Sequence, residues 1–139
     1  MSEWEARRLV EERAQGWCEV RLPEVCQGRA TNWHHRQNRS QGGRWLASNG
    51  IALCGSGTTG CHGWITEHPS AARENGWAVG ASDLPALVPV LLHTQCYRRA
   101  VVLLDDEGCY VLHGWPEQVD SDDPWALPTL SEVAKWRNP

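Results

Sequence analysis

The sequence predicts an α+β fold, in which short strands and short helices are held together by a metal site made of cysteines. Three observations lead to this prediction: a helix start signal at the N-terminus, short apolar segments separated by glycine-containing turns, and two cysteine pairs in the first half. A chain of 139 residues is long enough for one domain with a modest core. We expect an N-terminal helix over residues 1–16, a core over 17–80, and an extension over 81–139.

The N-terminal segment carries the start signal. Ser2 and Glu5 have the Ser-x-x-Glu spacing of a capping box. A helix over residues 3–15 is therefore predicted, with its apolar residues on one side and its charged residues elsewhere. Gly16 provides a plausible end.

The core is predicted to contain short strands and loops. Residues 17–26 are expected to form two short extended pieces around a turn, and residues 30–36 and 51–54 to form strands. Residues 37–48 are polar and contain a pair of glycines, so they predict a loop. Three glycines in residues 55–60 predict a tight turn.

After the glycine-rich turn the sequence predicts helices, and after these a β-hairpin and an acidic tail. A helix should begin near Cys61, break or restart at Pro69 and end at Gly76. Residues 96–104 and 109–113 then flank an acidic, glycine-containing turn, which predicts a β-hairpin. The remainder is acidic and contains prolines, with a short helix expected over residues 130–136.

Charge and hydropathy restrict the class of protein. No apolar run reaches the roughly 20 residues that cross a bilayer, and the N-terminus lacks the basic and apolar regions of a signal peptide. We therefore expect a reducing, cytoplasmic setting. The net charge of −4 disfavours nucleic-acid binding, but residues 20–62 hold five arginines and one acid, a net charge of +4. A partner that carries phosphates should meet this half of the chain.

Four of the six cysteines form two pairs, Cys18 with Cys26 and Cys54 with Cys61. In a reducing compartment, clustered cysteines bind metal more often than they form disulfides. The gaps of seven and six residues are wider than those of common zinc knuckles, but the glycines of the second gap allow the chain to fold back. We predict a structural zinc ion on the four thiolates, with four reduced, buried cysteines as the alternative.

The same stretch contains an ordered series of His34-His35, Asn49 and His62. An imidazole titrates near neutral pH and can act as a base, and neutral imidazoles bind divalent cations. Since neighbouring strand residues point to opposite faces, His34 and His35 should have different roles. Taken alone, the two neighbouring histidines would more often be solvated and unrelated to His62.

These residues resemble the HNH endonucleases, particularly the small ones encoded by phages. The resemblance covers residues 18–79 and rests on Trp33–Arg36, Gly42-Gly43, Ser48–Cys54 and Cys61-His62. It implies a ββα-metal fold, in which two short strands and a helix are joined by zinc. It also implies hydrolysis of phosphodiester bonds, with double-stranded DNA in a bacterial host cell as the expected substrate.

The resemblance also implies residue roles. His34 and His62 would bind a catalytic divalent ion, and His35 would be the general base that activates water. Asn49 would fix the loop and thereby orient His35, while Arg36 would contact a phosphate or remain a surface arginine. Many family members have aspartate in place of His34, so Mn²⁺ and Ni²⁺ are considered beside Mg²⁺.

Two rival interpretations use the same residues. One is a zinc-stabilised nucleic-acid-binding module without catalysis, and the other is a structural zinc domain for protein assembly. The complete histidine and asparagine series favours the nuclease, because binding alone would not require it. The remaining histidines and cysteines are expected to be structural or exposed groups and free thiols, namely His68, His93, His113, Cys96 and Cys109.

Overall fold

The computed structural model describes residues 1–115 and has the mixed α+β fold that the sequence predicts. The helices are α1 (Glu3–Ala14), α2 (Gly60–Glu67) and α3 (Pro69–Glu74). The strands are β1 (Asn32–His35), β2 (Gly50–Leu53), β3 (Val90–Thr94), β4 (Arg98–Leu104) and β5 (Tyr110–Gly114). In this part of the chain no helix has both the length and the apolar character needed to cross a membrane. The predicted helix over 130–136 and the acidic tail lie outside the described residues.

The capping box at the start of α1 is confirmed. The Ser2 side chain accepts a hydrogen bond from the Glu5 backbone N–H at 3.1 Å, and the Glu5 carboxylate accepts one from the Ser2 backbone. The buried side of α1 packs against β2. The prediction that charges stay off this side is wrong for Arg13, which is buried. Its guanidinium donates to both carboxylate oxygens of the equally buried Glu19 at 2.9 Å each.

Strands β1 and β2 form an antiparallel pair in which His34 lies opposite Ile51 and His35 opposite Gly50. A Cβ atom at Gly50 would lie 2.1 Å from the Trp33 ring, so only glycine fits beneath this indole. Residues 17–26 were expected to contain extended pieces, but they form turns. One isolated antiparallel β-bridge, between Trp17 and Arg29, lies at the edge of these turns.

A second sheet has the order β3-β4-β5, with antiparallel neighbours. The predicted hairpin is present as β4 and β5, whereas β3 was not predicted. Buried side chains of this sheet belong to the same hydrophobic cluster as those of β2 and α2, for example Val90 and Val102 with Leu53 and Ile65. The described part of the extension therefore shares one core with the residues that carry the candidate site.

Candidate metal centre and histidine cleft

The turn between β2 and α2 and the turns of residues 18–28 bring four cysteines together. The Sγ atoms of Cys18, Cys26, Cys54 and Cys61 all lie within 4.8 Å of one another. Those of Cys26 and Cys54 are 3.8 Å apart. A tetrahedral zinc site with bonds of about 2.3 Å requires sulfur atoms roughly 3.8 Å apart. The cysteine cluster could therefore hold a structural metal such as zinc, and the wide gaps do not prevent it.

Backbone geometry supports the cluster. Cys54 Sγ accepts hydrogen bonds from the backbone N–H groups of Gln27 and Cys61 at 3.3 and 3.2 Å. Cys61 Sγ accepts one from Leu22 at 3.3 Å. Gly55 has a φ of +85°, and a Cβ atom there would lie 2.0 Å from the Thr59 carbonyl oxygen. The turn thus requires glycine. The N–H groups of Leu22, Gln27 and Cys61 point at sulfur atoms in a way that stabilises thiolates.

The thiols also differ in acidity. Hydrogen bonds from Cys18 and Cys61 lower the pKa of Cys26 to about 4. The hydrogen bond to Cys18 and burial raise the pKa of Cys54 to about 12, and hydrogen bonds to Cys18 and Cys26 raise the pKa of Cys61. Four thiolates in so small a space repel one another, so a bound cation would be needed to keep all of them deprotonated.

A second feature is an open cleft of about 450 Å³ beside β1, α2 and α3, which we call the histidine cleft. His34 and His62 meet here, with ring centroids 5.5 Å apart and planes inclined by 68°. The His62 Nδ1 atom is buried and has no hydrogen-bond partner within residues 1–115. The lining residues are Trp33, His34, His35, Arg36, Asn38, Gln41, His62, Pro69, Arg73, Ala78 and Val79.

The protonation state of His34 follows from its contacts. Its Nε2 atom lies 2.7 Å from the Trp77 carbonyl oxygen, which can only accept a hydrogen bond. The proton of the neutral ring therefore sits on Nε2, and Nδ1 keeps its lone pair. Burial lowers the pKa of His34 to about 4, although the Trp77 carbonyl opposes the shift. At neutral pH the ring can serve as a metal ligand.

His35 lines the same cleft but has different neighbours. Its ring lies 4.5 Å from Trp45 and 5.8 Å from Trp33, between ring centroids. Burial lowers its pKa, and the nearby Arg39 and Arg7 lower it further. The Nε2 atom is enclosed, and the structure gives it no hydrogen-bond partner in residues 1–115. The two adjacent histidines therefore have different neighbours, although both line the cleft.

Asn49 holds the loop between β1 and β2. Its Oδ1 atom accepts a hydrogen bond from the Gln37 N–H at 2.7 Å. Its Nδ2 atom donates to the carbonyl oxygens of Gln37 and Arg44 at 2.9 and 3.1 Å. Its backbone carbonyl accepts from the Arg36 N–H at 2.9 Å. The fully buried asparagine therefore fixes the chain directly after His35.

The expected role of Arg36 is wrong, because this side chain is neither on the surface nor available to phosphate. It is 1% exposed. Its guanidinium donates to the carbonyl oxygens of Gly76, Ser48, Pro85 and Val88 at 2.7–2.9 Å. Arg36 therefore joins the β1–β2 hairpin to the segments that follow α3.

Sequence reasoning missed two parts of the site. The Trp77 carbonyl that fixes the His34 ring carries no sequence signal, since every residue has a carbonyl. Arg73 lines the histidine cleft from α3 and is exposed. Its distance of eleven positions from His62 matches no motif.

No family model, curated protein or solved structure matches this chain.

Proposed function

We propose that this chain is a metal-dependent HNH endonuclease that hydrolyses phosphodiester bonds, with double-stranded DNA as its substrate. The observation that carries the proposal is the meeting of His34 and His62 at one cleft with a third imidazole, His35. Strand β1 supplies His34 and His35, and α2 supplies His62, with β2 between them in the chain, which is the order expected of a ββα-metal core. In this proposal the cysteine cluster holds the zinc ion of that core.

The two neighbouring imidazoles are proposed to bind a divalent cation. His34 offers the Nδ1 lone pair, because its Nε2 is bound to the Trp77 carbonyl. His62 offers Nδ1, a buried nitrogen without another partner in the described chain. When bound, Mg²⁺, Mn²⁺ or Ni²⁺ would neutralise phosphate charge and stabilise the departing oxygen. Imidazole ligands favour the two softer ions.

His35 is proposed to remove a proton from the attacking water. Its lowered pKa keeps the ring neutral at pH 7, which a base requires. Its neighbour Trp45 stands edge-to-face with it, and the His35 Nε2 atom is enclosed and so closed to the attacking water. Nδ1 would then act as the base. Asn49 would keep this ring in place through the loop that it fixes.

A plasmid-nicking assay with Mg²⁺, Mn²⁺ or Ni²⁺ tests the proposal through two variants of adjacent residues. His35→Ala should retain metal binding and lower the cleavage rate by about 10²–10⁴-fold, the usual cost of losing a general base. Raising the metal concentration should not restore it. His34→Ala should lose cleavage at low metal concentration and recover it partly at high concentration, because a ligand has been removed.

His113→Ala is the matched control, since this exposed histidine lies on β5 and does not line the cleft. It should cleave like the wild type. Metal rescue of His35→Ala but not of His34→Ala would reverse the two roles. Wild-type protein that binds DNA without cutting it under any of the three metals would favour the non-catalytic binding module.

A further inference from the structure

Two arginines line the histidine cleft, and they differ in what they can bind. The Arg36 guanidinium donates hydrogen bonds to four backbone carbonyl oxygens. Arg73 is exposed, and the structure gives its guanidinium neither a hydrogen bond nor an ion pair within residues 1–115. One guanidinium is therefore committed to the fold, and the other is available to a ligand.

The surroundings of Arg73 place its charge at the rim of the cleft. Its Nη2 atom would lie 3.4 Å from a Cβ atom built on Gly80, so the guanidinium rests beside this backbone. The carboxylate of Asp83 is close to the same glycine, but it accepts the Gly80 N–H at 2.9 Å. An exposed guanidinium here can reach into the cleft without first breaking an ion pair.

We propose that Arg73 binds a backbone phosphate of nucleic acid seated in the histidine cleft, adjacent to the phosphate that is cut. This inference rests on the proposed function and supplies the phosphate contact that Arg36 cannot make. A guanidinium forms two parallel hydrogen bonds with phosphate oxygens. Such a contact is independent of base identity, so it contributes affinity and position rather than sequence preference.

The test measures binding of a short DNA duplex by fluorescence anisotropy without added divalent metal, at several salt concentrations. Arg73→Ala should weaken binding about tenfold near 0.1 M salt and reduce the steepness of log K against log[salt] by about 0.9, the value for one phosphate. The loss should be similar for unrelated sequences. Arg73→Lys should keep the salt dependence, because it keeps the charge.

Arg8→Ala is the matched control, because Arg8 is an exposed arginine whose charge is paired with Glu12 on α1, away from the cleft. It should bind like the wild type. Circular dichroism and zinc content should show that all variants fold alike. Nicking by Arg73→Ala should show a raised KM and a kcat within threefold of the wild type.

The outcomes separate this inference from the proposed function. If the wild type nicks DNA and Arg73→Ala has unchanged affinity and salt dependence, the inference is overturned and the nuclease stands. If the wild type never nicks but Arg73→Ala loses one phosphate contact, the phosphate-binding role of Arg73 stands, whereas the nuclease proposal and the placement beside a cut phosphate fail. If the wild type does not bind DNA, both are overturned.

Discussion

Replacing Arg36 with lysine distinguishes a residue that builds the fold from one that binds substrate. In the structure, all four hydrogen bonds of this guanidinium end on backbone carbonyls, at 2.7–2.9 Å. The acceptors lie 12 to 52 residues away along the chain. Burial lowers the pKa of Arg36 to about 9, so the group is still charged at pH 7. Its charge is compensated by carbonyl dipoles.

Lysine cannot reproduce this arrangement. An ammonium group is a point donor and cannot reach four carbonyls that surround a planar fork. If two carbonyls lose their partners, each costs about 1–3 kcal/mol as a buried, unsatisfied group. The burial that lowers the arginine pKa also favours the uncharged form of a lysine. We therefore expect Arg36→Lys to lower the free energy of unfolding by about 2–6 kcal/mol, a large part of a small domain's stability.

Urea denaturation followed by tryptophan fluorescence measures this change, since Trp77 is fully buried in the core. The wild type and each variant must be measured with saturating zinc, because bound metal adds to the apparent free energy of unfolding. Arg8→Lys, on the surface of α1, should change the free energy by less than about 0.5 kcal/mol. If Arg36→Lys has wild-type stability but weaker DNA binding, the guanidinium faces the substrate and our description of it is wrong.

Two further predictions concern metal and charge. Purified protein should contain one zinc per chain, and Cys54→Ser should release the metal and unfold the domain. Cys96→Ser, which changes an exposed cysteine, should do neither. Elemental analysis that finds no zinc in folded protein would contradict this prediction. Changing Arg39 and Arg44 together to alanine should weaken binding to unrelated DNA sequences alike and reduce the slope of log K against log[salt] by roughly two. Unchanged affinity would show that these two arginines do not contact phosphates.

Local signals were sufficient for much of the fold. The capping box predicts the start of α1, because both of its hydrogen bonds join residues three positions apart. The glycines at 55 and 60 predict the turn that closes the cysteine cluster, because the positive φ that each adopts disfavours other residues. Pro69 predicts the junction between α2 and α3. In each case the determining interactions lie within a few residues of the signal.

Interactions between distant segments were not predictable from pattern alone. Strand β3 follows Pro89 and is buried, so it lacks the alternation that reveals a half-exposed strand. In the sequence, Arg13 cannot be distinguished from the exposed charged residues of a surface helix. In the fold, its guanidinium is hydrogen-bonded to Glu19 and to the carbonyl oxygens of Ala47 and Gly50. Arg36 was misassigned for the same reason, since its acceptors come from three separate segments. Buried charges depend on the tertiary fold, which short motifs do not encode.

The cysteine cluster and the histidine cleft are coupled through one peptide unit. Cys61 belongs to the cluster, and the next residue, His62, faces His34 across the cleft. The His62 N–H donates to the Cys54 carbonyl at 3.2 Å, so the turn that gathers the sulfur atoms also sets where α2 begins. We therefore expect a change in the geometry of the cluster to shift His62 relative to His34. A metal held by the cysteine cluster would then influence the proposed catalytic ion, although different side chains would bind the two.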